Sequence, residues 1–453
     1  MNNILNYGGK MKSLLSEIDL AVSVLQKNGY KAYLVGGSVR DYIMGKEPND
    51  FDITTDALPD ETKNCFNDYK CIETGIEHGT VTVLINNIPI EITTFRFDGE
   101  YSDHRHPEKV RFSSSLFEDT ARRDFTINAL AYNEKEGIID YHGGKEDIEN
   151  KIIRCIGDAD KRFNEDALRI MRALRFSSTL GFKIEENTKK AIFKNKELLT
   201  FVSKERIFSE LKKTLCGNNI ENILTEYIDV FSVIIPELSL MKGFDQKNPH
   251  HIFDILHHTA RVVKSIEKNE KLRLAALFHD IGKPFCFSLD ENGIGHFYGH
   301  NKKSAELTEK ILKDLKSDTK TINDVVTLVL HHDAPIEPDE KTVKRRLNKL
   351  GEDIFFDLIK LQAADNMGLS PDYHYRQETY KKLSEIGREI LEKEECFSLK
   401  NLSVNGNDLI SLGYKGKEIG KTLDFLLSFV IEGKIENEKE KLLSLLNTTK
   451  STE

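Results

Sequence analysis

One stretch, Leu34 to Asp52, limits what this chain can fold into more than any other. A short apolar run, Tyr33 to Val35, stops abruptly at Gly36-Gly37. Helical spacing then begins, with Val39, Ile43 and Met44 on one side and Arg40 and Asp41 on the other. The pattern predicts a strand, a glycine turn and a helix. Two glycines let the backbone come close to a ligand, and the helix that follows offers free N–H groups and a positive dipole end. Such a turn suits a polyphosphate. After Gly45 and Pro48 the chain becomes extended again at Asp50-Phe51-Asp52-Ile53. Residues two apart on a strand share a face, so Asp50 and Asp52 project together while Phe51 and Ile53 face the other, buried side. Two adjacent carboxylates repel and call for a cation between them. Oxygen donors beside a phosphate-binding turn favour Mg²⁺, and a pair of such ions suits an in-line phosphoryl displacement. Asp-x-Asp alone is common and reads more readily as an exposed turn with solvated acids. Gly-Gly-x-x-Arg-Asp just ahead of it favours the metal-binding reading.

With 453 residues the chain is long enough for two to four domains. Its longest apolar runs, such as Leu274 to Phe278, are too short to cross a bilayer, so no membrane partner is expected. The N-terminal residues lack a basic stretch followed by an apolar core and predict a loose lead-in to a helix near Lys12–Asn28, not a signal peptide. Six scattered cysteines form no Cys-x-x-Cys pair, which fits a reduced cytoplasm and argues against a zinc knuckle or disulfide frame. Net charge is −9, so any nucleic-acid contact must come from local basic patches.

Residues 31 to about 140 read as mixed α/β. Thr80–Ile85 and Ile88–Phe95 are β-branched runs separated by Asn86-Asn87, a hairpin signal because asparagine tolerates the positive φ of a tight turn. Glu91 on the second run is either a surface-facing strand residue or a third acid beside Asp50 and Asp52. Arg96 to Glu108 has no periodicity and predicts a mobile loop over the site. Arg122 and Arg123, ahead of Asp124, can bind a triphosphate or pair with surface acids.

From about 145 the chain turns helical. Within Asp158 to Thr179, Leu168, Met171 and Leu174–Phe176 make an apolar stripe, and Asp166, Arg169 and Arg172 stand at i, i+3 and i+6 on a second stripe. A salt-bridged helix face is the ordinary explanation of such a stripe. The alternative has a definite chemistry. Cytosine and adenine each offer an amino donor beside a ring-nitrogen acceptor, whereas uracil and guanine offer a carbonyl beside an N–H. A carboxylate only accepts and a guanidinium only donates, so Asp166 with Arg169 reads C or A and rejects U and G. A mismatch leaves a buried charge unpaired. On Lys204–Cys216, Arg206 and Glu210 form an i, i+4 pair that either braces the base-reading helix or pairs at the surface.

Gly36-Gly37-x-x-Arg40-Asp41, Asp50-x-Asp52, Arg122-Arg123-Asp124-Phe-Thr-Ile-Asn-Ala, Glu165-Asp166-x-x-Arg169 and Arg206-Ile-x-x-Glu210-Leu stand in one order over residues 30–215. Together they resemble the class II tRNA nucleotidyltransferase and bacterial poly(A) polymerase family. That resemblance implies a polymerase-beta-type nucleotidyltransferase head, a helical neck that selects the base, and Mg²⁺-dependent addition of CMP and AMP from CTP and ATP to the 3′ end of tRNA. It implies that Asp50 and Asp52 hold the metals, that Gly36, Gly37, Arg40 and Arg123 bind the triphosphate with Arg172 and Arg175 nearby, and that Asp166 and Arg169 recognise the base. Glu91 extends the acid set. The 96–108 loop matches the position of the family's flexible loop, which helps switch from C to A addition.

Most of the 14 histidines fall in one third of the chain. They include His250-His251, His257-His258, His279-Asp280, His300 and His331-His332, and Asp365 follows. His-Asp adjacency with histidines at helix ends fits a divalent metal site and resembles the HD phosphohydrolase superfamily. That resemblance maps ligands to His258 (or its neighbour His257), His279, Asp280 and Asp365, with His300 and His332 completing a second metal site. It implies hydrolysis of phosphomonoesters or 2′,3′-cyclic phosphates at RNA ends, or else a scaffold with or without metal.

The expected architecture is an elongated, multi-domain chain. An α/β head with a mixed sheet (1–145) precedes a helical neck (146–240), an HD-type helical domain (241–370) and a helical RNA-binding tail region (371–453) whose last seven residues read as disordered. The leading function is tRNA 3′-CCA synthesis. Same-class alternatives are poly(A) polymerase and CC-only or A-only addition. A metal-dependent phosphohydrolase acting on RNA ends, with the head as an RNA-binding module, and a catalytically inactive RNA chaperone are readings from other classes.

Overall fold

The computed structural model describes residues 16–48, 50–98 and 110–450. The chain divides into two compact units, Met1–Asn219 with Asp229–Ile234, and Ile220–Ile228 with Ile235–Glu453.

The first unit is built on a seven-stranded mixed sheet. Its strands are β1 (Ala32–Val35), β2 (Asp52–Thr55), β3 (Lys70–Gly75), β4 (Thr80–Ile85) and β5 (Ile88–Thr94), joined after a small hairpin of β6 (Arg96–Asp98) and β7 (Val110–Phe112) by β8 (Ala131–Asn133) and β9 (Gly137–Ile139). The spatial order is β3-β4-β5-β2-β1-β8-β9. Only β2 and β5 run parallel within it. The turn between β4 and β5 falls on Asn86 and Asn87 at φ 50° and 64°, as the sequence predicts. The apolar side of β1 packs Tyr33 and Val35 against Phe95, Leu116 and Ala131.

The expected structureless loop at 96–108 begins as strand β6, paired with β7; the rest of it lies outside the described residues. The lead-in helix runs Ser16–Lys27, and its expected start at Lys12 lies outside them as well.

The stretch expected to be one helix from Asp158 is two, Ala159–Glu165 and Leu168–Leu180. Asp166 sits between them at φ −140°, ψ 104°, and its Oδ1 accepts the Leu168 N–H at 3.0 Å. A short acid side chain that bonds its own downstream backbone starts a helix and does not continue one. Helices Leu168–Leu180 and Lys204–Leu215 then pack closely. A Cβ on Gly217 would lie 2.0 Å from Ser178 Oγ, so only glycine permits the chain to leave the second helix there.

The second unit is helical, with one two-residue hairpin, Ser288–Leu289 against Gly295–His296. Its final helices bury Leu409, Leu426, Leu427, Ile431, Leu442 and Leu446 around Val404. The last helix spans Lys439–Lys450, so the expected disorder from Asn447 is corrected over 447–450, and 451–453 lie outside the described residues. Amphipathic spacing of leucines carries the helix past its polar threonines. No helix among the described residues is long and apolar enough to cross a membrane.

Candidate active site

Sheet register brings the acids together. Val35, the last residue of β1, pairs with Asp52, the first of β2, and Asp52 pairs across the parallel seam with Glu91. Asp50 lies two residues ahead of Asp52 and is exposed. Burial pushes the Asp52 carboxyl above its ordinary value, Arg123 opposes that, and Asp50 adds to it. Burial likewise raises Glu91, with Asp52 and Asp50 adding to it. Three carboxylates within electrostatic reach of one another, with Arg123 acting on Asp52, form a donor set that suits divalent cations.

The glycine turn sits against this set. Gly36 has φ 78° and ψ −138°, and a Cβ on it would lie 3.1 Å from Arg123 Nη1 and 3.7 Å from Asp52 Oδ2. The following helix, Gly37–Ile43, is only seven residues long. Cationic charge at the turn therefore comes mainly from side chains. Arg40 is buried, donates to Asn128 Oδ1 at 2.7 Å and pairs with Asp41 at 2.8 Å. Arg123 lies 3.6 Å from Asp119, which also binds Arg122 at 2.8 Å and accepts the Thr54 hydroxyl at 3.1 Å. Burial disfavours the Asp119 charge, but the two arginines outweigh it and hold its carboxyl below the usual range.

The helix Leu168–Leu180 supplies the other wall. Arg172 binds Asp124 at 2.6 Å, and Arg175 binds Glu210 at 3.1 Å. Burial alone would raise Asp124, yet Arg172 and Asn128 hold it at about 2. Three guanidiniums, from Arg40, Arg172 and Arg175, lie 5.2, 5.4 and 4.3 Å from the ring centre of Phe176. An aromatic face attracts each of them and keeps their planes in one place.

Asp166 and Arg169 do not form the simple stripe expected of them, because Asp166 stands in the break between helices. Its second oxygen pairs with Arg206 at 3.0 Å. Arg169 is buried and held from behind by Glu165 at 2.7 Å and by the carbonyls of Arg162 and Arg122 at 3.1 and 2.9 Å. Arg206 and Glu210, expected as an i, i+4 pair, instead bind Asp166 and Arg175, at the break before and on the helix Leu168–Leu180.

In the second unit, His258, His279 and Asp280 are buried together, and Asp365 joins them. His258 Nε2 lies 3.3 Å from His279 Nε2 and 2.9 Å from Asp365 Oδ1. Asp280 faces two ways. Its Oδ2 is 3.4 and 3.2 Å from His258 and His279, and its Oδ1 is 3.4 and 3.6 Å from His300 and His332. All four histidines turn Nδ1 to a backbone carbonyl, of Gly368, Ala276, Phe297 and Val329, at 2.7–3.1 Å. That fixes Nε2 toward the cluster, as metal-binding histidines require. Burial opposes charge on His279, but Asp280 and Asp365 outweigh it and raise the ring to about 10. His257, the alternative to His258, is exposed and bonds Asp254 instead.

Three family models match the chain: Poly A polymerase head domain over residues 32–154, Probable RNA and SrmB- binding site of polymerase A over 181–242, and tRNA nucleotidyltransferase domain 2 putative over 295–446. The chain is 34% identical to a CCA-adding enzyme of Bacillus pumilus over 92% of its own length and 93% of that protein's. It is 35% identical to that of Geobacillus kaustophilus over 93% and 94%. The chain belongs to the CCA-adding enzyme family. It is therefore a nucleotidyltransferase. The solved Bacillus stearothermophilus CCA-adding enzyme in complex with CTP matches 97% of the chain and 99% of its own, with TM-score 0.72 and 29% identity. A Thermotoga maritima CCA-adding enzyme complexed with tRNA shares the fold at TM-score 0.57 and 20% identity.

Within this family member, sequence reasoning missed Asp119 and Phe176. Asp119 reads as one more surface acid, and its full burial depends on packing that no local pattern shows. Phe176 sits on the apolar stripe, where an aromatic reads as core.

Proposed function

We propose that this chain builds or repairs the 3′-CCA end of tRNA from CTP and ATP. The terminal 3′-hydroxyl of the RNA attacks the α-phosphorus, the bond to the β-phosphate breaks, and pyrophosphate leaves. The observation that carries this reading is the single register line Val35–Asp52–Glu91 with the Gly36 turn against Asp52 and Arg123. In this reading Asp50, Asp52 and Glu91 hold Mg²⁺, which when bound would supply charge neutralisation at the reacting oxygens. Gly36 and Gly37 let the triphosphate lie close, and Arg40, Arg123, Arg172 and Arg175 pair with its oxygens. Asp166 accepts the amino group of C or A and Arg169 donates to the ring nitrogen, each held from behind by protein partners. Catalysis is then mainly positioning and charge neutralisation. Residues 1–145 act as head, 146–240 as neck, 241–370 as HD-type domain and 371–453 as tail. Free thiols at all six cysteines suit a cytoplasmic site of action.

The test is incubation of pure protein and Mg²⁺ with tRNA lacking CCA and each labelled nucleotide in turn. Two C and then one A are expected. No incorporation overturns the proposal, and C alone, A alone or an A tract assigns one of the partial activities.

A second reading concerns the histidine–aspartate cluster, and the two-faced Asp280 favours it. We infer a pair of divalent metal positions there, with His258, His279 and Asp365 at one, His300 and His332 at the other, and Asp280 shared. Such a centre when loaded activates water toward phosphoesters.

A further inference from the structure

Phe176 lies where two helices of the first unit bring their arginines together. It follows Arg175 on the helix Leu168–Leu180 and stands one turn after Arg172, so the helix itself sets both arginines beside the ring. Arg40 arrives from the helix behind the glycine turn, Gly37–Ile43. Phe176 is 7% exposed, and Phe125 backs its ring edge-on at 5.8 Å and 83°. The side chains of Arg40, Arg175 and Arg172 are 9, 15 and 33% exposed. Away from bulk water, the attraction between a guanidinium and an aromatic face is at its strongest.

This crowding has a cost. Burial disfavours the charge on Arg175, and Arg172 and Arg40 repel it, while Glu210 and Asp124 counter them. Each arginine already has protein partners on one edge: Asp41 and Asn128 for Arg40, Asp124 for Arg172, and Glu210 for Arg175. A further carboxylate among them would cancel charge and occupy N–H donors that phosphate oxygens need. An aromatic ring attracts the cations and does neither. An aliphatic side chain would fill the space without countering the repulsion.

We propose that Phe176 is a positioning residue of the nucleotide seat, its ring holding Arg40, Arg172 and Arg175 together as one phosphate-binding set. Phe176 thereby sets the affinity for the polyphosphate of CTP and ATP alike and takes no part in choosing the base. The proposal rests on the reading that these arginines pair with the triphosphate.

The experiment uses the full chain with Phe176 replaced by mono-, di- and trifluorophenylalanine, and Phe176→Leu beside them. Fluorine draws electron density from the ring face step by step and leaves its shape nearly constant, so packing and charge attraction separate. Initial rates on tRNA lacking CCA, and on tRNA lacking only the final A, give kcat and KM for CTP and ATP. Both KM values should climb together with each fluorine, to about tenfold at the trifluoro ring, with kcat within about twofold. Phe176→Leu should raise both at least as far. Pyrophosphate binding, read by calorimetry with Mg²⁺, should weaken in step, and the ratio of kcat/KM for CTP to that for UTP should stay constant. Thermal unfolding checks that each protein folds. A flat fluorine series overturns the proposal even if Phe176→Leu raises KM, because the ring then only packs. A change in base selectivity, or in one nucleotide alone, overturns it too. Arg172→Lys and Arg175→Lys test the reading beneath it. Unchanged KM values in both variants remove the seat, and the role of Phe176 with it. Raised values beside a flat fluorine series remove the role of Phe176 alone.

Discussion

A single backbone torsion controls how close the phosphate turn comes to the acids. At φ 78° and ψ −138°, Gly36 occupies a region that side chains enter only under strain, on the order of 1–3 kcal/mol. Its missing Cβ also leaves room for Arg123 Nη1, 3.1 Å from where that atom would be. The end of an arginine can swing away, so Gly36→Ala should fold but displace Arg123. The expected outcome is a rise of about tenfold in KM for CTP with a melting point lower by a few degrees, read by initial rates and calorimetry. An unchanged KM would remove Arg123 from the nucleotide site. Gly36 and Asp52 were legible because a strand, a glycine and an acid at fixed spacing form a local pattern. Asp119 was not, because its work is to hold Arg122 and Arg123 from beneath, and the sequence does not say which acid ends up under which base.

Among the elements, the break between Ala159–Glu165 and Leu168–Leu180 matters most. Periodicity runs through it without interruption, so the sequence reads one helix. The Asp166 side chain ends it by taking the Leu168 N–H. The break frees Asp166 from the helix face and lets Arg206 fix it from the neighbouring helix. Arg206→Ala should therefore relax discrimination against UTP and GTP more than it slows C addition, measured as kcat/KM for the four nucleotides. A uniform loss would reduce Arg206 to a structural brace. The Asp124–Arg172 pair ties this helix to the segment that carries Arg122 and Arg123. Asp124 titrates near 2 when folded against 3.8 ordinarily, a difference worth roughly 2 kcal/mol. Its folded pKa is depressed, so its contribution is complete above about 4 and is lost as pH falls toward 2. Asp124→Asn should lower stability at neutral pH and flatten the stability–pH curve in that window, read by denaturant titration across pH.

At the level of the whole molecule, two units carry two separate donor sets of different character. The acids of the first stand at the central β2–β5 seam on residues that remain partly open to solvent, whereas His258, His279 and His332 of the second are buried with Nδ1 turned to backbone carbonyls. Magnesium should therefore change activity with little effect on melting, while Mn²⁺ or a similar ion should raise the melting point of the second unit by mass action. Metal uptake there should also displace protons, because Asp280 and Asp365 favour the charged form of His279 without it. His258→Ala should abolish the melting increment, and an increment that survives the substitution would place the ion elsewhere. The strand, glycine turn and helix at residues 32–43, the β4–β5 hairpin and the helix Lys204–Leu215 were legible because residue types repeat at strand or helix period. The pairing of β2 with β5 and the gathering of distant histidines were not, since both depend on which surfaces bury each other. The three guanidiniums around Phe176 have one further consequence. They recognise charge, not base, so in the proposed reaction CTP, ATP and departing pyrophosphate all contend for one seat. Each nucleotide should then act as a competitive inhibitor of the other's addition, and the pace of end repair should follow the ratio of the two in the surrounding pool as well as their amounts.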